Sequence, residues 1–368
     1  MCIRDSVEAH GTGTKAGDAA EFAALREVFD ESGRVDRQWC AVGSVKSQVG
    51  HTKGAAGACG LFKAVMALHH KALPPTIKID QPNPSLEIEK SPFYLSTQSK
   101  PWVPDKGVPR RASVSSFGFG GTNFHVAVEE YTGTGKRAWR YRSWDSELIV
   151  LGAESAAELC DQAARLSASL VDSPDMLSYI ARDTQTGYDA AQPHRVAMVA
   201  GSVSDLRAML DEIAAKLQTS DLAGSFSSPR GYFYSAQQAG PVALLFPGQG
   251  SQYIGMGADV PQLYEPALSA WERARADLLN ADRDLHQVVW PKTAFTDDER
   301  ALQAAELTRT EWAQPGIGAH SLSLLSVIRS LGISPVAVGG HSFGAVSYTH
   351  LDVYKRQPPY WGIAPMRL

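Results

Sequence analysis

Hydrophobic and polar positions change period repeatedly between Glu147 and Leu217. ELIVLGA is a short apolar run that predicts a strand, and Ala156 to Leu170 then sets Leu159, Ala163, Leu166 and Leu170 on one helical face. RVAMVA predicts a second strand. A second helix begins near Ser204, whose hydroxyl can cap it, and carries Leu206, Met209, Leu210, Ile213 and Leu217 in one stripe. This strand–helix–strand–helix pattern predicts a small α/β unit. From Val7 to Tyr131, short apolar runs lie among glycines, with a helix predicted from Gly17 through Phe29 and a dense closing segment, SVSSFGFGGTNFHVAVEEY. Thr132 to Trp144 has neither period and reads as a linker. A stretch containing glycine and serine, Ala223 to Gly240, leads to a strand over Val242 to Phe246, and PVAVGGHSFG reads as a buried strand running into a turn. No internal repeat is evident.

Composition narrows the function classes. The chain has 368 residues, 44% of them hydrophobic, enough for two or three cored domains. A net charge of -4 argues against nucleic acid or an anionic membrane as the main partner. No apolar run approaches membrane-span length, and no secretory segment opens the chain. Four cysteines show neither a disulfide framework nor metal spacing, so a reducing cytoplasm is the expected compartment. The termini carry a separate signal. Asp352 to Gln357 back-translate as GAT GTG TAT AAG AGA CAG, and the same string in a shifted frame encodes MCIRDS at residues 1–6. Residues 1–6 and 347–357 are therefore expected to be sequencing-adapter scars, with 358–368 unassigned and His350 part of the scar.

Three clusters between Val7 and Tyr131 can carry chemistry. In VEAHGTGT, Gly11 and Gly13 let the backbone turn sharply beside His10, so an imidazole and the hydroxyls of Thr12 and Thr14 can project together; a structural turn histidine is the alternative. In SVKSQVGHTKGAAGACG, Lys46 and His51 precede a helix start packed with small residues. There a cation and an imidazole can stabilise an enolate or thioester oxyanion, or act simply as a solvated lysine and a capping histidine. SFGFGGTNFH lacks the spacing of a dinucleotide fingerprint and suggests an aromatic loop around Phe119 at a pocket mouth.

Taken in this order, HGTGT, KSQVGHTKGAAG and SSFGFGGTNFH closely resemble the C-terminal half of the β-ketoacyl synthase domain of type I polyketide and polyunsaturated fatty-acid synthases, over residues 7–131. The resemblance implies α/β architecture with a thiolase-like ketosynthase half, and a decarboxylative Claisen condensation of acyl and malonyl thioesters. It makes His10 and His51 the two motif histidines, Lys46 the active-site lysine, Thr12 and Thr14 the phosphopantetheine contacts, and Phe119 the gate. The family's acyl-bearing cysteine precedes the histidine motif, so it is expected upstream of Val7. Cys40, Cys59 and Cys160 are expected to be buried structural residues.

The last zone presents a different chemistry. Gly340-His341-Ser342-Phe343-Gly344 after a strand fits a nucleophile elbow, in which small flanking residues allow the strained turn that exposes the serine. With FPGQGSQYIGMG and TRTEWAQPGIGAHSLSLL it resembles the acyltransferase domain of the same synthases, an α/β-hydrolase-like fold present in part at residues 241–346. By that resemblance Ser342 takes malonyl from malonyl-CoA and passes it to the phosphopantetheine thiol of an acyl carrier protein. The backbone amides of Gln249 and Phe343 would form the oxyanion hole, and Phe343 leans toward malonyl selectivity. His341 is expected to support the elbow. Residues 132–240 would be the small α/β linker domain between them, whose Lys136, Arg137, Arg140 and Arg142, set among Trp139, Tyr141 and Trp144, pack on the synthase or face an acidic carrier. The family also implies a homodimer and no permanently bound cofactor or metal. Two other readings stand beside this one: a degenerate docking module, and a serine thioesterase-type hydrolase.

Overall fold

The computed structural model describes residues 5–118, 120–135, 145–173, 175–219, 224–238, 240–277 and 284–347. The chain forms two compact units, one from Met1–Arg140 with Val242–Leu368 and the other Tyr141–Pro241.

The first unit opens with strand β1 (Ser6–Glu8), helix α1 (Lys15–Asp30), strand β2 (Cys40–Gly43), and helices α2 (Lys46–Val49) and α3 (Ala56–His70). Short strands β3 (Ala72–Leu73), β4 (Phe93–Tyr94) and β5 (Lys100–Pro101) precede the long pair β6 (Arg111–Phe117) and β7 (Asn123–Glu129). One sheet runs β4-β2-β1-β6-β7, with β6 and β7 antiparallel and the other neighbours parallel. On one side Phe22, Leu25 and Phe29 of α1 pack with Val7, Cys40 and Phe93; another core gathers Ala64, Ala67, Leu68, Trp102 and Val114. The small residues of α3 permit this approach. A Cβ on Gly57 would lie 2.8 Å from Ser116 Oγ, and one on Gly60 would lie 3.1 Å from both Glu8 Cγ and Val114 Cγ1. Helix α1 starts two residues before the expected Gly17, because the Thr14 side chain accepts the Gly17 N–H and caps it there.

The second unit holds β8 (Glu147–Ala153), α4 (Ala156–Ser169), α5 (Met176–Thr186), β9 (His194–Ala200), α6 (Val203–Thr219), β10 (Ser225–Ser228) and β11 (Tyr232–Ser235). Its sheet, in the order β10-β11-β9-β8, is antiparallel throughout. Leu159 and Ala163 of α4 and Leu206, Met209, Leu210 and Ile213 of α6 bury against Ile149, Met198 and Tyr232. The expected α/β unit and its two amphipathic stripes are present. Three details differ. The cap of α6 is Ser202, which accepts the Asp205 N–H at 3.1 Å, whereas Ser204 bonds to the Ser202 hydroxyl. Helix α5 is an addition to the expected pattern, and so is the β10–β11 hairpin, in which β10 carries Phe226 among serines, β11 carries Tyr232, Phe233 and Tyr234, and Gly231 turns between them at positive φ.

The remaining elements return to the first unit: β12 (Ala243–Phe246), α7 (Asp259–Leu263), α8 (Glu265–Asp277), α9 (Leu285–Val289), α10 (Asp297–Thr308), α11 (Thr310–Ser330), β13 (Ala337–Gly340) and α12 (Phe343–Ser347). Strands β12 and β13 pair in parallel, with Phe246 opposite Gly340. Leu268, Trp271, Val289, Trp290 and Leu307 form the core beside α11. Buried charges tie α8 to the β6–β7 region: Arg110, 2% exposed, donates to Glu130 at 2.6 Å and also to Glu272, while Lys71 pairs with Glu265.

Candidate active sites

The first constellation grows from the end of β1. Gly11 (φ +45°) and Gly13 (φ +75°) hold the turn in the left-handed region, and a Cβ on Gly11 would press to 2.8 Å from Ser44 Cβ. The Glu21 carboxylate, buried on α1, accepts the His10 N–H at 2.7 Å and the Gly11 N–H at 2.8 Å. Thr12 and Thr14 share a hydrogen bond of 3.0 Å, and Gly13 N–H reaches Asp18 at 3.1 Å. So fixed, the His10 ring meets the His51 ring edge to face, centroids 5.3 Å apart, and lies 5.5 Å from the Phe117 ring. His51 Nδ1 accepts the Lys53 N–H at 3.0 Å, which leaves its outer nitrogen free to donate when the ring is neutral.

Electrostatics favour neutral imidazole at His10. Burial lowers its pKa, and the charges of Lys46 and His51 lower it further. Lys46, on α2, is itself lowered by burial, although Glu8 and Glu21 pull the other way. Burial raises Glu21 and Glu8; the latter is paired with Lys63 at 2.9 Å. Among the described residues, His10 Nδ1 is buried without a hydrogen-bond partner.

The structure therefore brings His10 and His51 together, pairs Thr12 with Thr14, and sets Lys46 near enough for its charge to act on His10, while Phe119 lies outside the described residues, as do Lys136, Arg137, Trp139, Arg140, Tyr141, Arg142, Trp144 and His350. Cys40 and Cys160 are buried as expected, but Cys59 is half-buried, because it sits on α3 with its thiol 3.6 Å from the Thr52 hydroxyl at an apolar groove. Sequence reasoning missed Glu21. Its signal was an acid beside Phe22 and Leu25 on the apolar face of α1.

The second constellation is set by backbone. Ser342 has φ +53°, a conformation costly for a residue with a side chain. Its neighbours leave room for the turn: a Cβ on Gly340 would lie 2.2 Å from the Gly344 carbonyl carbon, and one on Gly344 would lie 2.0 Å from Phe246 O. Gly248 lies against the elbow, where a Cβ would come within 2.6 Å of His341 O and 3.0 Å of Ser342 Cβ. The His341 N–H donates to Phe246 O at 3.2 Å. The Phe343 ring stacks over Gly318 of α11, 3.6 Å from where its Cβ would stand. Neither the Gln249 nor the Phe343 backbone N–H is engaged in a hydrogen bond among the described residues. The elbow thus gathers Ser342, Phe343 and the loop bearing Gln249.

These two constellations define a chain with a ketosynthase segment and an acyltransferase segment. Residues 5–80 match the family of the β-ketoacyl synthase, C-terminal domain, and residues 243–352 match the acyl transferase domain. The chain is 34% identical over 365 residues to a polyunsaturated fatty acid synthase from Thraustochytrium sp., covering 92% of this chain and 13% of that protein. It is 35% identical over 350 residues to polyketide synthase GfsE of Streptomyces halstedii, covering 93% of this chain and 9% of that protein. Among solved structures, the ketosynthase from module 6 of the bacillaene synthase of Bacillus subtilis 168 is 39% identical over 59% of this chain and 38% of that chain, with a TM-score of 0.34. The chain, of mixed α/β fold, therefore carries a β-ketoacyl synthase C-terminal segment and an acyl transferase segment; its relatives are polyunsaturated fatty-acid and polyketide synthases, and it spans only a small part of their length. Among the described residues, no helix is long and apolar enough to cross a membrane, and no cluster of ligating side chains could hold a metal.

Proposed function

We propose that the synthase containing this chain condenses an acyl thioester with malonyl thioester at the His10–His51 site and loads malonyl from CoA through Ser342. In condensation the malonyl carbon–carbon bond breaks, carbon dioxide leaves, and the electron pair moves onto the thioester oxygen. His10 and His51 donate hydrogen bonds to that enolate. The enolate carbon then attacks the acyl group carried on a cysteine of the ketosynthase's other half, and the thiolate departs. Lys46 supplies the positive field, Thr12 and Thr14 hold the phosphopantetheine arm, and Phe119 gates entry. The observation that carries this reading is the edge-to-face meeting of His10 and His51, where burial and then the charge of Lys46 lower the His10 pKa.

At the elbow, Ser342 Oγ attacks the malonyl thioester carbonyl, its proton passing to a base downstream of the elbow, and CoA thiolate leaves. The Gln249 and Phe343 N–H groups receive the oxyanion. The acyl-serine is then attacked by the carrier thiol. No resident cofactor is required; the partners are an acyl carrier protein and malonyl-CoA, within a cytoplasmic homodimer, with residues 132–240 as the spacer domain and no nucleic-acid role. Incubating the full-length synthase with malonyl-CoA and mapping the acylated peptide tests this. Malonyl on Ser342 that moves to carrier protein faster than it hydrolyses is the expected result; dominant hydrolysis would mean a thioesterase-type enzyme instead.

A further inference from the structure

The Gln249 side chain is held at both ends. Its Nε2 donates to the Thr310 hydroxyl at 3.2 Å, and its Oε1 accepts from Gln314 Nε2 at 3.1 Å. Thr310 is the first residue of α11 and Gln314 lies one turn further, so the two present neighbouring groups on one helical face. The Gln249 carboxamide therefore bridges the first turn of α11. The loop is braced from within as well: the Ser251 hydroxyl donates to Gly248 O at 2.7 Å, and Gly250 N–H donates to Gln252 Oε1 at 2.8 Å, with Gly250 at φ +106°. The adjoining Gly248 backbone rests on His341 and Ser342, and the Gln249 N–H is free of hydrogen bonds among the described residues. Gln249, Thr310 and Ser342 are all exposed, so water competes for each contact, and a side chain anchored at a single point would let the peptide swing.

We infer that Thr310 and Gln314 are positioning residues of the transfer site: by clamping the Gln249 carboxamide to α11 they hold the Gln249 peptide N–H against Ser342, where the acyl oxyanion forms. This rests on the reading of Ser342 as the acylated nucleophile. Gln314 touches neither substrate nor serine and acts through Gln249.

The test is a mutant cycle on malonyl transfer by the full-length synthase. Gln314→Leu should lower kcat by about ten- to a hundredfold with KM nearly unchanged, as displacement of a transition-state donor does. In a Gln249→Ala background the same substitution should cost almost nothing further, since the clamp has nothing left to hold. Gln314→Glu should recover part of the loss. A glutamate accepts rather than donates, and the Gln249 carboxamide can turn over to suit it because the Thr310 hydroxyl both donates and accepts. Adding Thr310→Val to Gln314→Glu should remove that recovery. If Gln314→Leu fails to fold, the Gln314→Glu and Thr310→Val pair reads the same coupling. Equal losses from Gln314→Leu with and without the Gln249 side chain, or a change confined to KM, would overturn the assignment. Ser342→Ala with undiminished loading would instead sink the transferase reading on which it stands.

Discussion

The histidine turn and the serine elbow are built on opposite principles. Around His10 the backbone is an ordinary glycine-assisted turn, and the candidate site is made of side chains from four places in the chain: His10 after β1, Glu21 from α1, Lys46 from α2, and His51 before α3. Around Ser342 the side chains contribute little beyond the serine, and what matters is three glycines that permit one strained residue. A site of the first kind degrades gradually, one charge or hydrogen bond at a time. The second fails at once, because a single added methyl meets main-chain atoms that have no rotamer to yield.

The sharpest way to break this contrast is to add a methyl at each place. Gly344→Ala puts a Cβ 2.0 Å from Phe246 O, and should abolish Ser342 acylation and destabilise the first unit by more than about 3 kcal/mol, seen by denaturant unfolding. Gly13→Ala meets nothing within 4 Å and should cost about 1 kcal/mol through its positive φ alone. Next in size is the buried ion cluster. Arg110→Ala leaves Glu130 and Glu272 without their guanidinium and should cost about 3–5 kcal/mol, whereas Arg110→Met together with Glu130→Leu should recover much of it.

Smaller is Glu21→Gln, which keeps one acceptor for the two N–H groups of the turn and loses the other. A drop of about tenfold in decarboxylation, with transfer untouched, is expected. Smaller again is a pH effect. Burial and Lys46 hold His10 below the ordinary value of 6.5, so the neutral imidazole persists as pH falls past that point, and decarboxylation should not decline there on its account. For stability the sign is the reverse: the unfolded chain takes up the proton first, so stability falls as pH drops from 6.5 through the lower folded value. NMR titration of His10 against His51→Ala would resolve both. A separate pH effect concerns Lys100, pushed down to about 8 by burial; its uncharged form should appear above that pH, with stability rising until the unfolded lysine also titrates near 10.5.

Legibility in the sequence followed the same division. The elbow was readable because its requirement is local: strand, small residue, serine, small residue, all within ten positions. The two amphipathic stripes on Leu159 and Leu206 were readable because burial repeats at the helical period. His10, Lys46 and His51 could be named only by their order along the chain, since no period reports that two imidazoles 41 positions apart meet at 5.3 Å. The Gln249–Thr310–Gln314 clamp was not legible, and Glu21 left only the trace of an acid on the apolar face of α1. Each is a polar residue whose partner lies on another element, and composition treats such residues as solvated surface. The β10–β11 hairpin was hidden by its serines, and the cap of α6 was displaced because Ser202 and Ser204 offer the same hydroxyl two residues apart.

The central claim is that this chain holds two separable chemistries, and one experiment addresses it directly. Carboxyl-labelled malonyl-CoA is supplied to the full-length synthase, and label on Ser342 and labelled carbon dioxide are followed together in wild type, Ser342→Ala, and His10→Ala with His51→Ala. The histidine variant should still load Ser342 but release no carbon dioxide, and Ser342→Ala should load nothing yet decarboxylate malonyl supplied on carrier protein. Loss of both activities in either soluble, folded variant, or loading that survives Ser342→Ala, would contradict it.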